Sequence, residues 1–280
     1  MAPFALRTLP MGLRHALHAK GRWHGIAAGG CQNYDSYIDN PRYLLTVAEP
    51  TDVLLELQCL SDSFSLGLDV DVVDGGETAQ RNQFPLKSGT FRVGHAMVEA
   101  RFPKGKYSIV PATFKPAQEA EFVISASSSA PISLVAVDHE GRGLVRHLVK
   151  GAWRFSDGSA AGSPNGGRFA RNPHFRLTLS HQTDVLLRLQ ANNNPARPAM
   201  CITVYEGGER RSESGARFSN AMCVSNSGVY ANFPGGVHVP RTALAAGSYS
   251  VIVSTFDPIE AEFTLIVYAA QGALRVQTLA

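Results

Sequence analysis

The densest chemistry in the chain is acidic. Asp69, Asp71, Asp74 and Glu77 lie within Asp69-Val-Asp-Val-Val-Asp-Gly-Gly-Glu77, and carboxylate oxygens so grouped can ligate Ca2+. The pattern departs from an EF-hand loop, because its third acidic position and its glycine are each displaced by one residue. A second candidate is basic: Arg168, Arg171 and Arg176 flank Asn172-Pro173 and could meet phospholipid head groups from a loop. A third is Cys31, in Gly29-Gly-Cys-Gln-Asn33, a setting that superficially resembles a nucleophile turn. The four cysteines, Cys31, Cys59, Cys201 and Cys223, form no CxxC pair, so neither a disulfide scaffold nor a zinc knuckle is expected and a reducing, cytoplasmic setting is the default. Of the nine histidines, only His15 and His18 stand close together, and that spacing alone defines no metal site.

The elements that must carry these residues come in two sets. Thr51-Asp-Val-Leu-Leu-Glu-Leu-Gln58 returns as Thr183-Asp-Val-Leu-Leu-Arg-Leu-Gln190, a spacing of 132, and Asn40-Pro41 returns at the same spacing as Asn172-Pro173. Val72-Val-Asp-Gly-Gly-Glu77 likewise returns as Val204-Tyr-Glu-Gly-Gly-Glu209. Gly105-Lys-Tyr-Ser108 and Thr113-Phe-Lys-Pro116 match Gly247-Ser-Tyr-Ser250 and Thr255-Phe-Asp-Pro258 at 142, so the second copy gains ten residues after its Gly-Gly turn. Two copies of about 130 residues are each of ordinary domain size. The division expected is an N-terminal extension over 1–20, copy one over 21–138, a linker over 139–150 and copy two over 151–280.

Each copy reads as β-structure. Val53, Leu55 and Leu57 share one face of a strand by period two, as do Val185, Leu187 and Leu189. Glu56 becomes Arg188 on the opposite face, a charge reversal that suits a solvated surface. Asp69 and Asp71 fall opposite Val70 and Val72, with Cys201 and Thr203 in their places in copy two. A solvated strand face followed by a hairpin is therefore the plainer reading of the acidic cluster. Further strands are expected at 107–110, 121–125 and 132–137, with a last one at 274–279. The 26 glycines and 16 prolines supply the turns, and the expected class is all-β: two tandem antiparallel sandwiches.

Composition excludes several partners. A net charge of +3 is too small to suggest nucleic acid. No apolar run approaches the roughly 18 residues of a helical membrane span. The first twenty residues carry Arg7, Arg14 and Lys20, with no acid before Asp35, which leaves a mitochondrial transit peptide as an alternative to cytoplasmic residence.

Trp23-His-Gly-Ile-Ala-Ala-Gly-Gly-Cys-Gln-Asn-Tyr34 followed by Asn40-Pro-Arg-Tyr-Leu-Leu45 resembles the opening of calpain domain III. Pro103-Lys-Gly-Lys-Tyr-Ser-Ile-Val-Pro-Ala-Thr-Phe-Lys-Pro116, then Glu119-Ala-Glu-Phe122, is similar to its close. Copy two keeps Trp153 and the closing stretch 246–258 but has Ala161-Gly162-Ser163 in place of Gly-Gly-Cys. The resemblance implies two C2-like sandwiches, as in calpain proteases that end in two such domains, and a module that packs on a protease core. It also implies a possible response to Ca2+ and phospholipid. The catalytic Cys, His and Asn of such proteases lie in a separate papain-like core that these residues do not include, so Cys31 is expected to be structural and the chain non-catalytic. Its partner is then a protease core or other protein. The alternative is that the chain is the C-terminal part of a calpain-type cysteine protease.

Overall fold

The structure, a computed structural model, describes residues 12–59, 63–74, 85–191, 197–209, 223–233 and 235–279, except for the side chain of Asp74. The chain divides into two compact units, residues 1–140 and 141–280. Unit one contains β1 (His15–Trp23), β2 (Arg42–Val47), β3 (Thr51–Cys59), β4 (Ser65–Asp74), β5 (Leu86–Lys87), β6 (Arg92–Val93), β7 (His95–Phe102), β8 (Gly105–Thr113), β9 (Ala120–Ser128) and β10 (Ile132–Val137). One sheet runs β1-β9-β3-β7 and the other β10-β2-β8-β4-β5, with β6 also on β4. Unit two contains β11 (Val145–Trp153), β12 (His174–Leu179), β13 (Thr183–Gln190), β14 (Met200–Glu206), β15 (Cys223–Asn226), β16 (Val237–Leu244), β17 (Gly247–Thr255), β18 (Ala261–Ala269) and β19 (Leu274–Leu279). Its sheets run β11-β18-β13-β16 and β15-β14-β17-β12-β19. The helical segments among the described residues are short 3-10 turns, so the fold is all-β, two tandem antiparallel sandwiches.

Period-two alternation places the cores. Val53, Leu55 and Leu57 of β3 meet Leu66, Leu68 and Val70 of β4 and Ile109 of β8 in the core of unit one. Val185, Leu187 and Leu189 of β13 meet Ile202 and Val204 of β14 and Val251 and Val253 of β17 in unit two. Each core has a buried tryptophan at its end: Trp23 lies 4.4 Å from Phe122 by ring centroids, and Trp153 lies 4.5 Å from Phe263. Burying the indole requires a partner for its N–H. Trp23 Nε1 donates to the Pro111 carbonyl at 3.1 Å and Trp153 Nε1 to the Val253 carbonyl at 3.0 Å.

Three expectations change. Residues 15–20, expected as an extension, belong to β1, which pairs along β9 from His15–Ser128 to Trp23–Ala120. Residues 145–150, expected as a linker with a short extended or helical stretch over 144–149, belong to β11, which pairs along β18 in the same way. The physical reason is the same in both units: Leu17 and Ala19, and Val149, pack partly on the cores beside the tryptophans. A glycine one turn of the pleat before each tryptophan leaves room for a ring. A Cβ at Gly21 would strike Phe122 and the Tyr43 hydroxyl, and one at Gly151 would strike Phe263. At the start of the expected linker, His139 Nε2 lies 3.2 Å from Oδ1 of the buried Asp39, which ties that residue to unit one. The third change is the face assigned to Arg188. It is only 8% exposed, between Leu186 and Gln190, both buried, and its Nη1 donates to the Gly235 carbonyl at 2.9 Å. The charge reversal from Glu56 therefore reflects a different local partner and not a shared solvated surface.

Candidate functional site

The motif residues of both copies converge where the segment after the first strand meets the end of β8 or β17. Asn40 closes this loop with its amide: Nδ2 donates to the Gly30 carbonyl at 2.7 Å and the Tyr37 carbonyl at 3.0 Å, and Oδ1 accepts the Gly29 N–H at 3.1 Å. Asn172 repeats the two donated bonds, to Gly162 at 2.8 Å and Phe169 at 3.0 Å, while its buried Oδ1 has no partner among the described residues. Gly30 and Gly162 turn with φ of 75° and 76° against Pro116 and Pro258, a conformation and a proximity that exclude a side chain. Thr113 and Thr255 donate to the carbonyls of Lys115 and Asp257, at 2.9 and 2.7 Å, setting the turn that follows. Glu119 accepts the Gly25 N–H at 2.7 Å, and Glu260 accepts the Phe155 N–H at 2.9 Å. Most of these polar atoms bond to the main chain of the fold, and Glu119 Oε2 also lies 2.8 Å from His24 Nδ1.

Cys31 fits that pattern. It is 4% exposed and in no disulfide, and its N–H donates to the Phe114 carbonyl at 3.4 Å. A nucleophile needs a base in hydrogen-bond reach and access to substrate; this thiol is buried, and no base bonds it among the described residues.

The acidic candidates are divided. Asp69 projects from β4 on the side opposite the core but is only partly exposed, because Tyr37 of the 3-10 turn Asp35–Asp39 bonds to it. Its Oδ2 accepts the Tyr37 hydroxyl at 2.8 Å and Gln32 Nε2 at 3.0 Å, and Lys87 Nζ in turn donates to Gln32 Oε1 at 2.7 Å. Burial holds the Asp69 carboxyl above the ordinary carboxylate range, against the opposing pull of Tyr37 and Lys87. Burial, reinforced by the Asp69 charge, also pushes the Tyr37 phenol far up. Asp71 uses Oδ1 to accept the neighbouring Val72 N–H at 2.8 Å. The side chain of Asp74, and all of Glu77, lie outside the described residues. Asp69 and Asp71 alone do not supply the six to eight oxygens of a Ca2+ cage, and no group of three or more His, Cys, Asp or Glu suited to a metal occurs among the described residues.

Copy two replaces the carboxylate with a thiol, which contacts the Ser227 hydroxyl at 3.5 Å, and the phenol with a phenyl ring. Phe169 stands where Tyr37 does and Cys201 where Asp69 does; Phe169 packs with Tyr205 and Ile252 as Tyr37 packs with Val110 and Ala112. The arginines part company too. Arg168 and Arg171 are exposed at the 3-10 turn Phe169–Arg171. Arg176 sits on β12 and is committed to the turn after β14, its Nε donating to the Gly208 carbonyl at 2.5 Å and its Nη2 to Glu209 Oε1 at 3.4 Å.

The roles of Gly21 and Gly151 escaped the sequence reading, although a signal existed: Lys20-Gly-Arg-Trp23 recurs as Lys150-Gly-Ala-Trp153 at a spacing of 130. Tyr37 and Gln32 carried no such signal, since the second copy has no matching pair.

Comparison with known proteins places these motifs. The model of the family "calpain large subunit, domain III" matches residues 76–126 and 149–268. The calpain-like protease palB/RIM13 of Cryptococcus neoformans var. neoformans is 23% identical over 271 residues, covering 94% of this chain and 31% of that protein. The calpain-type cysteine protease ADL1 of Oryza sativa subsp. japonica is 32% identical over 163 residues, 48% of this chain and 7% of that protein. Calpain-7 of Homo sapiens is 29% identical over 134 residues, 47% of this chain and 16% of that protein. The chain thus spans about a third or less of the length of these relatives.

Proposed function

The chain belongs to the calpain large subunit domain III family, and from that premise we propose that it is a non-catalytic pair of binding modules that docks a calpain-type protease core. The observation that carries this reading is how the motif residues are used. Trp23, Gly30, Asn40, Thr113, Glu119 and their counterparts in copy two hold main-chain atoms of the sandwiches, and Cys31 is buried with no base bonded to it among the described residues. A fold built this way offers surfaces, not a reaction centre. A finer part of the proposal is a Ca2+ and phospholipid response, supported by the acidic composition of 69–77 and by the exposed Arg168 and Arg171. Cytoplasmic residence accords with four free cysteines.

A second reading is favoured by the relatives' greater length: these two modules form the C-terminal part of a calpain-type cysteine protease. Both readings predict that the purified chain binds a calpain-type catalytic core and hydrolyses nothing itself. The test is to titrate such a core with the chain, in Ca2+ and in chelator, and to assay the chain alone on casein. Saturable binding supports the docking role. Thiol-sensitive hydrolysis by the chain alone that disappears in Cys31→Ser would overturn it, as would absence of binding in both conditions.

A further inference from the structure

Among the described residues β1 is the border strand of its sheet, laddered to β9 alone, with β10 of the other sheet lying near it. Its inward residues Leu17 and Ala19 pack partly on the core, so Ala16, His18, Lys20 and Arg22 form its outward row, with Arg14 just before the strand; all five are exposed. His18 Nδ1 lies 3.0 Å from Ser125 Oγ. The side chains of Arg14, Lys20 and Arg22 make no ion pair or hydrogen bond among the described residues. Alternate residues on a strand are about 6.7 Å apart, which gives a line of cations along an open edge.

The charge of the face beyond that line narrows what could occupy it. Moving inward across the sheet, Glu121 of β9 stands opposite Arg22, Asp52 of β3 pairs with Arg101 of β7 at 3.1 Å, Glu56 lies 3.7 Å from His95, and Glu99 projects from β7. Beyond β1 the face is mixed, acids beside basic side chains, so a bilayer or a nucleic-acid backbone laid across it would meet no continuous cationic field. An occupant one strand wide would meet only β1. The equivalent strand in unit two, β11, lacks the line: Ala152, opposite Glu262, stands where Arg22 stands opposite Glu121.

We propose that the unladdered edge of β1 takes an extended acidic peptide segment, paired to it as an added strand with carboxylates beside Arg14, Lys20 and Arg22. Main-chain hydrogen bonds supply the pairing, and opposite charges across neighbouring strands supply selection. The inference is independent of whether the chain docks a protease core. The opposing account is that these cations only shield an edge strand from pairing with other chains.

Fluorescence anisotropy with the full chain separates the two. The probes are a labelled (Glu-Val)4 peptide, its Lys-Val and Gln-Val analogues, a version N-methylated at alternate residues, and phosphatidylserine vesicles. The Glu-Val peptide is expected to bind, and the Lys-Val and N-methylated peptides are not. Lys20→Glu with Arg22→Glu should weaken binding by roughly tenfold or more, the scale of reversing two cross-strand charge pairs. A thermal melt checks folding, and Lys20→Gln with Arg22→Gln serves if the reversal does not fold. Absence of Glu-Val binding would overturn the proposal in favour of a shielding role. Equal binding of the N-methylated peptide would remove the added strand, and vesicle binding equally sensitive to the reversal would remove the one-strand occupant.

Discussion

Asp69 shows how far a residue's surroundings can depart from its position on a strand. Alternation sets it opposite the core, yet Tyr37 and Gln32 cover it and burial raises its carboxyl above the ordinary range. Between its unfolded and folded pKa values the folded state therefore holds more protons than the unfolded one, and stability falls as pH rises through that window. Above the folded value the whole cost is present. Asp69→Asn removes the charge but keeps an oxygen able to accept both the Tyr37 hydroxyl and the Gln32 amide. It is expected to stabilise the chain at neutral pH by roughly 1 kcal/mol, the scale of one buried polar group, and to flatten the pH dependence above the ordinary carboxylate range. Urea denaturation at several pH values reads both. A loss of stability at neutral pH would mean that the ionised carboxylate is worth more to the fold than its burial costs. Copy two supports the direction, since Cys201 and Phe169 fill the same positions with no charge.

At the scale of the element, the first strand of each unit is where sequence and structure part. Central strands were legible because apolar residues alternate over six to nine positions and recur 132 residues later, as with Val53, Leu55, Leu57 and their counterparts. β1 and β11 hide that pattern: their inward positions are Leu17, Ala19 and Gly21, and Val149 and Gly151, which are small or sparse. Their outward rows are polar, so they read as an extension and a linker. The candidate site was legible in part for a related reason. Periodicity tells which face a side chain leaves from, and so it separated Asp69 and Arg188 from the core. It does not tell what loop or strand lies over that face. The glycines supply the test of the strand assignment. By strand propensity alone Gly151→Ala should stabilise, because glycine costs roughly 0.5–1 kcal/mol inside a strand. Here the new Cβ would meet the Phe263 ring in a packed core, so the variant is expected to lose about 1–3 kcal/mol, the usual cost of overpacking. Phe263→Leu in the same chain should recover part of that loss. Denaturant unfolding decides the sign, and a gain would detach β11 from the core.

The whole molecule carries one tryptophan in each core, Trp23 in unit one and Trp153 in unit two, and these are its only two. Each therefore reports on one sandwich. Each unit has its own pair of sheets, its own apolar core and its own indole-to-carbonyl bond, which is what a domain needs to fold by itself. If the units are thermodynamically separate, Asp69→Asn acts on unit one only. The comparison is made in two backgrounds, Trp153→Phe, where fluorescence follows unit one, and Trp23→Phe, where it follows unit two. Each Trp→Phe change loses an indole hydrogen bond, but that loss is common to both members of a pair and cancels. The Asp69→Asn shift is expected in the Trp153→Phe background and absent in the other. Equal shifts in both would show that the two sandwiches unfold as one cooperative body. A ligand binding either unit would then stabilise both by mass action, and the tandem would behave as a single sensor instead of two modules in sequence.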